Sequence, residues 1–128
     1  MKKDYHLKDQ PIPEGFQIYE QRLDVTGIQN YKSSALKFIK AKQPSLLLER
    51  EPSNKYDKNA IKVIGCGKGL LGTRNYHIGY VPKKAAKKIC EFGFSAFQPR
   101  LLKRYEGNSG FVEVLFQVLG PKGRKDLY

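Results

Sequence analysis

The part of this sequence with the most chemically active side chains is a polar segment at residues 49–59, between two apolar runs. It holds Arg50, Tyr56 and Asp57 among the proline, serine and asparagine residues that favour turns. A tyrosine in such a loop can stack on an unpaired base, which contributes about 1–3 kcal/mol per base. A neighbouring carboxylate repels phosphate but accepts a hydrogen bond from a free sugar hydroxyl, so the pair suits the 3′-hydroxyl end of a strand. The alternative is that Asp57 caps a turn through its own backbone and Tyr56 packs on it.

The carboxylates of this segment also allow other interpretations. Glu49, Glu51 and Asp57 could form a metal site or an acid–base pair, as in a metal-dependent phosphoesterase. Glu49 and Glu51 would share one face of a strand, but no histidine lies nearby in sequence and the surroundings are basic. Arg50, between the two glutamates, is also typical of a structural ion pair. Neither histidine has metal-ligand spacing with a cysteine, so we expect no catalytic residue, metal or cofactor.

Length and charge limit the class of protein. The 128 residues suffice for one domain with its own core. Lys and Arg number 24 against 12 Asp and Glu, and the net charge of +12 favours a polyanionic partner. Such a partner is nucleic acid, an anionic membrane surface or an acidic protein. The absence of a long apolar run, of a secretory signal and of a disulfide framework predicts a cytoplasmic protein that does not engage a membrane.

The elements that must position the polar segment are mainly strands. The predicted strands cover residues 16–28, 46–49, 60–64, 78–81, 95–105 and 110–119, and the predicted helices cover 33–42 and 82–93. A phase change predicts a bulge near Glu20, and the three-leucine run at 46–48 predicts a strand buried on both faces. Ser33 or Ser34 would cap the first helix. The pattern predicts a mainly β fold with two short helices, built as a small antiparallel barrel or sandwich.

Two basic regions flank the predicted domain, and a third lies within it. We expect a flexible arm over residues 1–15, a domain over 16–119 and a basic tail over 120–128. The second helix carries Lys83, Lys84, Lys87 and Lys88 on its open side. They form either a solvated face or a track for phosphates.

A glycine-rich stretch at residues 67–72 formally matches the dinucleotide fingerprint GxGxxG. That fingerprint requires a helix to open at its third glycine, so that the helix N-terminus holds the pyrophosphate. Residues 73–81 are typical of a turn followed by a strand. We therefore expect a flexible hairpin loop rather than a nucleotide site.

Two motifs, in order, closely resemble the HIRAN domain family. The first is LEREPSNKYDKNAIKV at residues 48–63 and the second is IGYVPKKAA at residues 78–86, while VTGI at 25–28 is similar to that family's opening strand. The resemblance covers roughly residues 16–119. It implies an OB-like antiparallel β-barrel of about six strands. It also implies binding of single-stranded DNA at a 3′-hydroxyl end.

The resemblance also implies roles for individual residues. By position, Tyr56 stacks on the terminal base, Asp57 accepts the hydroxyl and Lys83 contacts a phosphate. Tyr80 stands where end-binding members can carry a histidine. Together with the basic residues of the loop and helix, the candidate DNA-binding residues are Tyr31, Arg50, Tyr56, Asp57, Tyr80, Lys83, Lys84 and Lys87.

One position departs from the family pattern. End-binding members have a basic–aromatic pair just after the glycine of the opening strand, whereas this chain has Gln29 and Asn30, with Tyr31 one residue later. We expect a non-catalytic module that binds single-stranded DNA or strand ends in repair or replication, with a helicase or nuclease acting in trans. The alternatives are a protein-interaction module that docks an acidic partner and a metal-dependent phosphoesterase.

Overall fold

Strands dominate the chain, which the computed structural model describes over residues 4–5 and 11–128. The strands are β1 (Asp4–Tyr5), β2 (Phe16–Asp24), β3 (Lys42–Arg50), β4 (Ile61–Gly69), β5 (Gly72–Tyr80), β6 (Gln98–Glu106) and β7 (Val112–Pro121), and the helices are α1 (Lys32–Lys40) and α2 (Lys83–Phe92). The predicted mainly β fold with two short helices is confirmed. Residues 1–3 and 6–10 of the predicted arm lie outside the described residues.

The strands form two antiparallel sheets. One sheet has the order β1-β6-β7-β2 and the other the order β3-β4-β5. An isolated bridge between Thr26, just after β2, and Tyr80, at the end of β5, joins the two regions. Over residues 4–5 and 11–128 no ladder of strand pairs closes these sheets into one cylinder, so the predicted OB-like barrel is not confirmed.

One apolar core lies between the sheets and the helices. Its fully buried side chains include Phe38 of α1, Ile61 of β4, Ile89 of α2 and Phe116 of β7. Burial of each such side chain stabilises the fold by about 1.5–3 kcal/mol. Because α2 contributes Ile89 to this core, the beginning of the helix is held at a fixed place beside the end of β5.

Three local predictions have different outcomes. β2 contains the predicted bulge, since its register with β7 shifts on both sides of Glu20. The predicted serine cap is wrong, because a 3-10 turn at Ile28–Tyr31 leads directly into α1 and leaves Tyr31 at the cap position. Burial of the leucine run on both faces is also wrong. β3 is an edge strand, and Leu47 on its open face is 53% exposed.

The glycine-rich stretch is a hairpin, as predicted, but most of it is strand. Gly67 and Gly69 belong to β4, and Gly72 opens β5. A strand follows Gly72 directly, so the helix that a dinucleotide fingerprint requires does not open at this glycine. No helix in the described part of the chain has the length and apolar character needed to cross a bilayer.

The end of the chain packs against the domain. β7 continues to Pro121, and the Tyr128 ring lies 5.1 Å from that of Tyr19. The Tyr128 hydroxyl donates a hydrogen bond of 2.6 Å to Glu20. Phe92 at the end of α2 joins this aromatic cluster, so the predicted basic tail helps to hold the helix in place.

Candidate nucleic-acid interface

The loop between β3 and β4 is folded by hydrogen bonds from its own side chains. The Oδ1 atom of Asn54 accepts hydrogen bonds from the backbone N–H of Tyr56 at 2.9 Å and of Asp57 at 3.0 Å. Asp57 Oδ1 in turn accepts from the N–H of Asn59 at 2.9 Å. These are the turns that asparagine and aspartate favour. Asp57 therefore caps a turn, as the alternative interpretation stated, but Tyr56 does not pack on it and is 87% exposed.

The apex of this loop faces the end of β5 and the start of α2 across a cavity of about 220 Å³. Its lining residues are Thr26, Asn54, Tyr56, Asp57, Ala60, Tyr80, Val81 and Lys83. Four of the eight predicted binding residues thus share one cavity: Tyr56, Asp57, Tyr80 and Lys83. The cavity is smaller than the roughly 300–1,000 Å³ of pockets for drug-sized ligands, and so it suits one terminal group rather than an extended molecule.

Two other predicted residues do not line the cavity but contact the loop or a residue that lines it. Arg50, at the end of β3, reaches across the base of the loop, where its Nη2 donates to the Lys58 carbonyl at 3.4 Å. The Tyr31 ring packs on His77, with centroids 4.3 Å apart, and lies 6.2 Å from the Tyr80 ring. Tyr31 therefore packs beside His77 and Tyr80. Burial of the His77 ring lowers the pKa of His77.

The remaining two predicted residues are not brought into the cavity. Lys84 lines a separate depression of about 360 Å³ together with Lys88 and Glu20. The ammonium of Lys87 lies 2.6 Å from the carboxylate of Glu91, one helical turn further along α2. Of the lysines on α2, only Lys83 lines the cavity.

A hydrogen-bonded group connects Tyr80 to the loop. The Tyr80 hydroxyl donates to Glu51 Oε1 at 2.7 Å, and Asn54 Nδ2 donates to the same oxygen at 2.8 Å. The Asn54 bond, followed by the Tyr80 bond, lowers the pKa of Glu51. Burial, together with the bonds to Glu51 and Tyr31, raises the pKa of the Tyr80 phenol. The carboxylate therefore carries its charge at neutral pH while the phenol keeps its proton.

The carboxylates of this region are arranged around a lysine. Lys62 Nζ lies 3.8 Å from Glu51 Oε2 and 4.0 Å from Glu49 Oε2. Lys62 rather than Arg50 thus lies beside the two glutamates. Among the described residues, no group of three or more His, Cys, Asp or Glu side chains could hold a metal ion.

Sequence reasoning missed the contact that forms one wall of the cavity. Gly79 has φ +151°, and a Cβ atom there would lie 2.5 Å from Val25 Cγ1 and 2.6 Å from the Thr26 carbonyl. This close approach allows Thr26 N–H to donate to the Tyr80 carbonyl at 2.7 Å, and Tyr80 N–H to donate to the Thr26 carbonyl at 2.9 Å. A glycine inside a strand is the sequence signal for such an approach. No signal marked Thr26 as its partner.

Comparisons with known proteins identify the family and a similar fold. The family model for the HIRAN domain matches residues 18–92, which is more than half of the chain. The crystal structure of a protein from Lactobacillus plantarum is similar, with a TM-score of 0.50 and 16% identity, covering 82% of this chain and 96% of that chain. At this identity the likeness concerns the fold alone. No curated protein matches the chain.

Proposed function

We propose, since this chain belongs to the HIRAN domain family, that it is a non-catalytic module that binds single-stranded DNA or a DNA 3′-hydroxyl end in repair or replication. The family consists of nucleic-acid-binding modules, and its domains bind DNA. The observation that carries the proposal is the single cavity shared by Tyr56, Asp57, Tyr80 and Lys83. Its walls offer an aromatic ring, a hydrogen-bond acceptor and a cation within the space of one terminal group.

The free functional groups of the cavity fit the parts of a strand end. Tyr56 exposes its ring, so a base can stack on it. Asp57 Oδ1 is occupied by the N–H of Asn59, whereas its Oδ2 has no hydrogen bond from any residue among 11–128. That oxygen can accept a hydrogen bond from a 3′-hydroxyl, and its charge repels a 3′-phosphate.

The start of α2 supplies the anion-binding part of the proposal. Lys83 is the first residue of the helix and lines the cavity next to Val81. Unpaired backbone N–H groups and the helix dipole favour an anion at a helix N-terminus. A phosphate one nucleotide inside the strand end would therefore lie against Lys83 while the terminal hydroxyl faces Asp57.

The charge distribution supports a polyanionic partner. Residues 25–48 and 58–90 contain no aspartate or glutamate, although they supply five of the eight residues that line the cavity. The acids between these segments are Glu49, Glu51 and Asp57. Of these acids only Asp57 lines the cavity, and a basic surface around its carboxylate attracts a strand while rejecting a phosphate at the strand terminus.

The test compares two short single strands that differ only in a 3′-hydroxyl or a 3′-phosphate. We expect the wild type to bind the hydroxyl end at least about tenfold more tightly, because a hydrogen bond to a charged group contributes about 1.5–3 kcal/mol. Asp57→Asn is the matched variant. Its amide oxygen still accepts from Asn59, but without the charge the ratio should fall to about twofold or less.

Each outcome decides a different part of the proposal. Equal binding of the two strands by the wild type would show that end recognition is wrong, and failure to bind either strand at low salt would contradict DNA binding itself. Strands that stay intact during incubation with magnesium or manganese support a non-catalytic module. Cleavage would establish the metal-dependent phosphoesterase instead.

A further inference from the structure

Glu51 does not line the cavity, yet its side chain connects two of the cavity's walls. One carboxylate oxygen, Oε1, accepts hydrogen bonds from Tyr80 at the end of β5 and from Asn54 in the loop. Tyr80 is 29 residues away in sequence, so this bond joins two elements that no local pattern connects. The other oxygen, Oε2, lies 3.8 Å from Lys62 on β4.

Asn54 links Glu51 to the loop apex. The Nδ2 donation to Glu51 fixes the rotation of the Asn54 amide, so that Oδ1 points at the backbone N–H groups of Tyr56 and Asp57. An amide without that anchor could turn away, and the apex would then lose two hydrogen bonds. Tyr56 and Asp57 thus depend on a carboxylate that they do not themselves contact.

We propose that Glu51 is a positioning residue, which holds the Tyr56–Asp57 apex at a fixed separation from Tyr80 and so sets the geometry of the binding cavity. That Glu51 fixes the position of the loop apex is inferred from the hydrogen bonds of the protein without DNA. Its consequence for DNA rests on the proposed function. Glu51, Asn54 and Tyr80 form a partly buried hydrogen-bonded network. Such a network favours one arrangement when every member is paired, and the loss of one member weakens the rest.

The chain offers a matched control for this proposal. Glu49 lies two residues before Glu51, has a side chain that is 61% exposed, and also lies beside Lys62, at 4.0 Å. It has no hydrogen bond to Asn54 or Tyr80 among the described residues. Glu49→Ala therefore removes a glutamate next to the same lysine without removing the connection between β5 and the loop.

The first measurement is the ¹⁵N relaxation order parameter of the Tyr56 and Asp57 amides in the protein without DNA. We expect values near 0.85 in the wild type and in Glu49→Ala, and values below about 0.6 in Glu51→Ala. Glu51→Gln should lie close to the wild type, because its amide oxygen can still accept from Tyr80 and Asn54. Unchanged order parameters in Glu51→Ala, or an equal fall in Glu49→Ala, would overturn the proposal.

The second measurement is the affinity for a short strand with a 3′-hydroxyl. Glu51→Ala should weaken binding by about tenfold, Glu51→Gln should recover most of that loss, and Glu49→Ala should stay within about twofold of the wild type. An affinity that Glu51→Ala leaves unchanged would contradict the role of Glu51 in binding. A wild type that binds no DNA would refute the proposed function, while the order parameters would still decide whether Glu51 fixes the loop.

Discussion

The two ends of the β3-β4-β5 sheet carry connections of opposite character. At one end, the loop at residues 51–60 is crossed by hydrogen bonds in which Glu51 and Asp57 accept and Asn54 both donates and accepts. At the other end, the β4–β5 turn presents Leu70 and Leu71 almost entirely to solvent, and these side chains have no hydrogen-bonding groups. The loop at residues 51–60 is longer than the β4–β5 turn but is the better ordered of the two, because its side-chain amides and carboxylates hydrogen-bond within the loop.

The same contrast holds for charge. Glu49, Glu51 and Asp57 are the only acids in residues 25–90, and all three belong to the loop end of the sheet. The turn end carries Lys68 and Arg74 without a carboxylate in its own segment. Asp57 is the one of these three acids that lines the cavity where the proposed strand end binds. Since β5 separates the two ends by roughly 25–30 Å, substitutions at one end should act independently of the other.

Glycine substitutions at the two ends of β5 should show the largest difference between the ends, measured as the free energy of unfolding. Gly79→Ala should lower the free energy of unfolding by about 3 kcal/mol, because the new Cβ overlaps Val25 and the Thr26 carbonyl in a backbone conformation that disfavours alanine. Gly72→Ala should cost only about 1 kcal/mol, because φ there is +117° but the space is open. Denaturant unfolding measures both. Equal losses would mean that the Thr26–Tyr80 approach is not tight.

Truncation of an exposed side chain should weaken DNA binding at the loop end of the sheet but not at the turn end. Tyr56→Ala should weaken single-strand binding by about 1–3 kcal/mol, roughly 5- to 150-fold, without changing stability, because the ring is exposed and stacks only on the ligand. Tyr56→Phe keeps the ring and should bind like the wild type. Leu71→Ala, equally exposed at the other end, is the control. A loss of affinity in Leu71→Ala as large as in Tyr56→Ala would place DNA at the turn end.

The sequence predicted local elements correctly but did not predict contacts between distant segments. The loop, its flanking strands and α2 follow from turn residues, strand periodicity and the Pro82–Gly93 boundaries, and they were predicted. Tyr31 against His77 and the Glu51–Tyr80 bond were not predicted. These contacts depend on which strands become neighbours, and alternation along one strand does not contain that information. Lys84 and Lys87 were grouped with Lys83 by sequence spacing, but the curvature of the helix surface turns them away from the cavity.

Removal of the loop's central amide should have an intermediate effect. Asn54→Ala deletes one hydrogen bond to Glu51 and two to the apex backbone, and it should lower the free energy of unfolding by about 1–2 kcal/mol. Leu70→Ala at the turn should change it by less than about 0.5 kcal/mol. Thermal unfolding of the two variants checks the difference. A stability of Asn54→Ala equal to that of the wild type would mean that the apex hydrogen bonds do not order the loop.

The smallest expected effect is a difference in how stability depends on pH. The bonds from Asn54 and Tyr80 lower the pKa of Glu51 below its ordinary value of 4.5. A carboxyl with a lowered pKa in the folded state stabilises that state above its unfolded pKa and loses this contribution as the pH falls through the folded pKa. Burial likewise lowers the pKa of His77 from 6.5, so His77 begins to oppose folding at a higher pH than Glu51 does.

Glu51→Gln should therefore lose stability at pH 7 and show a shallower decline below about pH 4.5, while the decline that begins near pH 6.5 remains. Leu70→Ala, at the end of the sheet without acids, should follow the wild-type curve at every pH. Unfolding free energies between pH 3 and 8 distinguish the two cases. A Glu51→Gln curve parallel to that of the wild type below pH 4.5 would show that the bonds from Asn54 and Tyr80 do not stabilise the ionised Glu51 carboxylate. The contrast between the two ends of the sheet would then rest on the backbone alone.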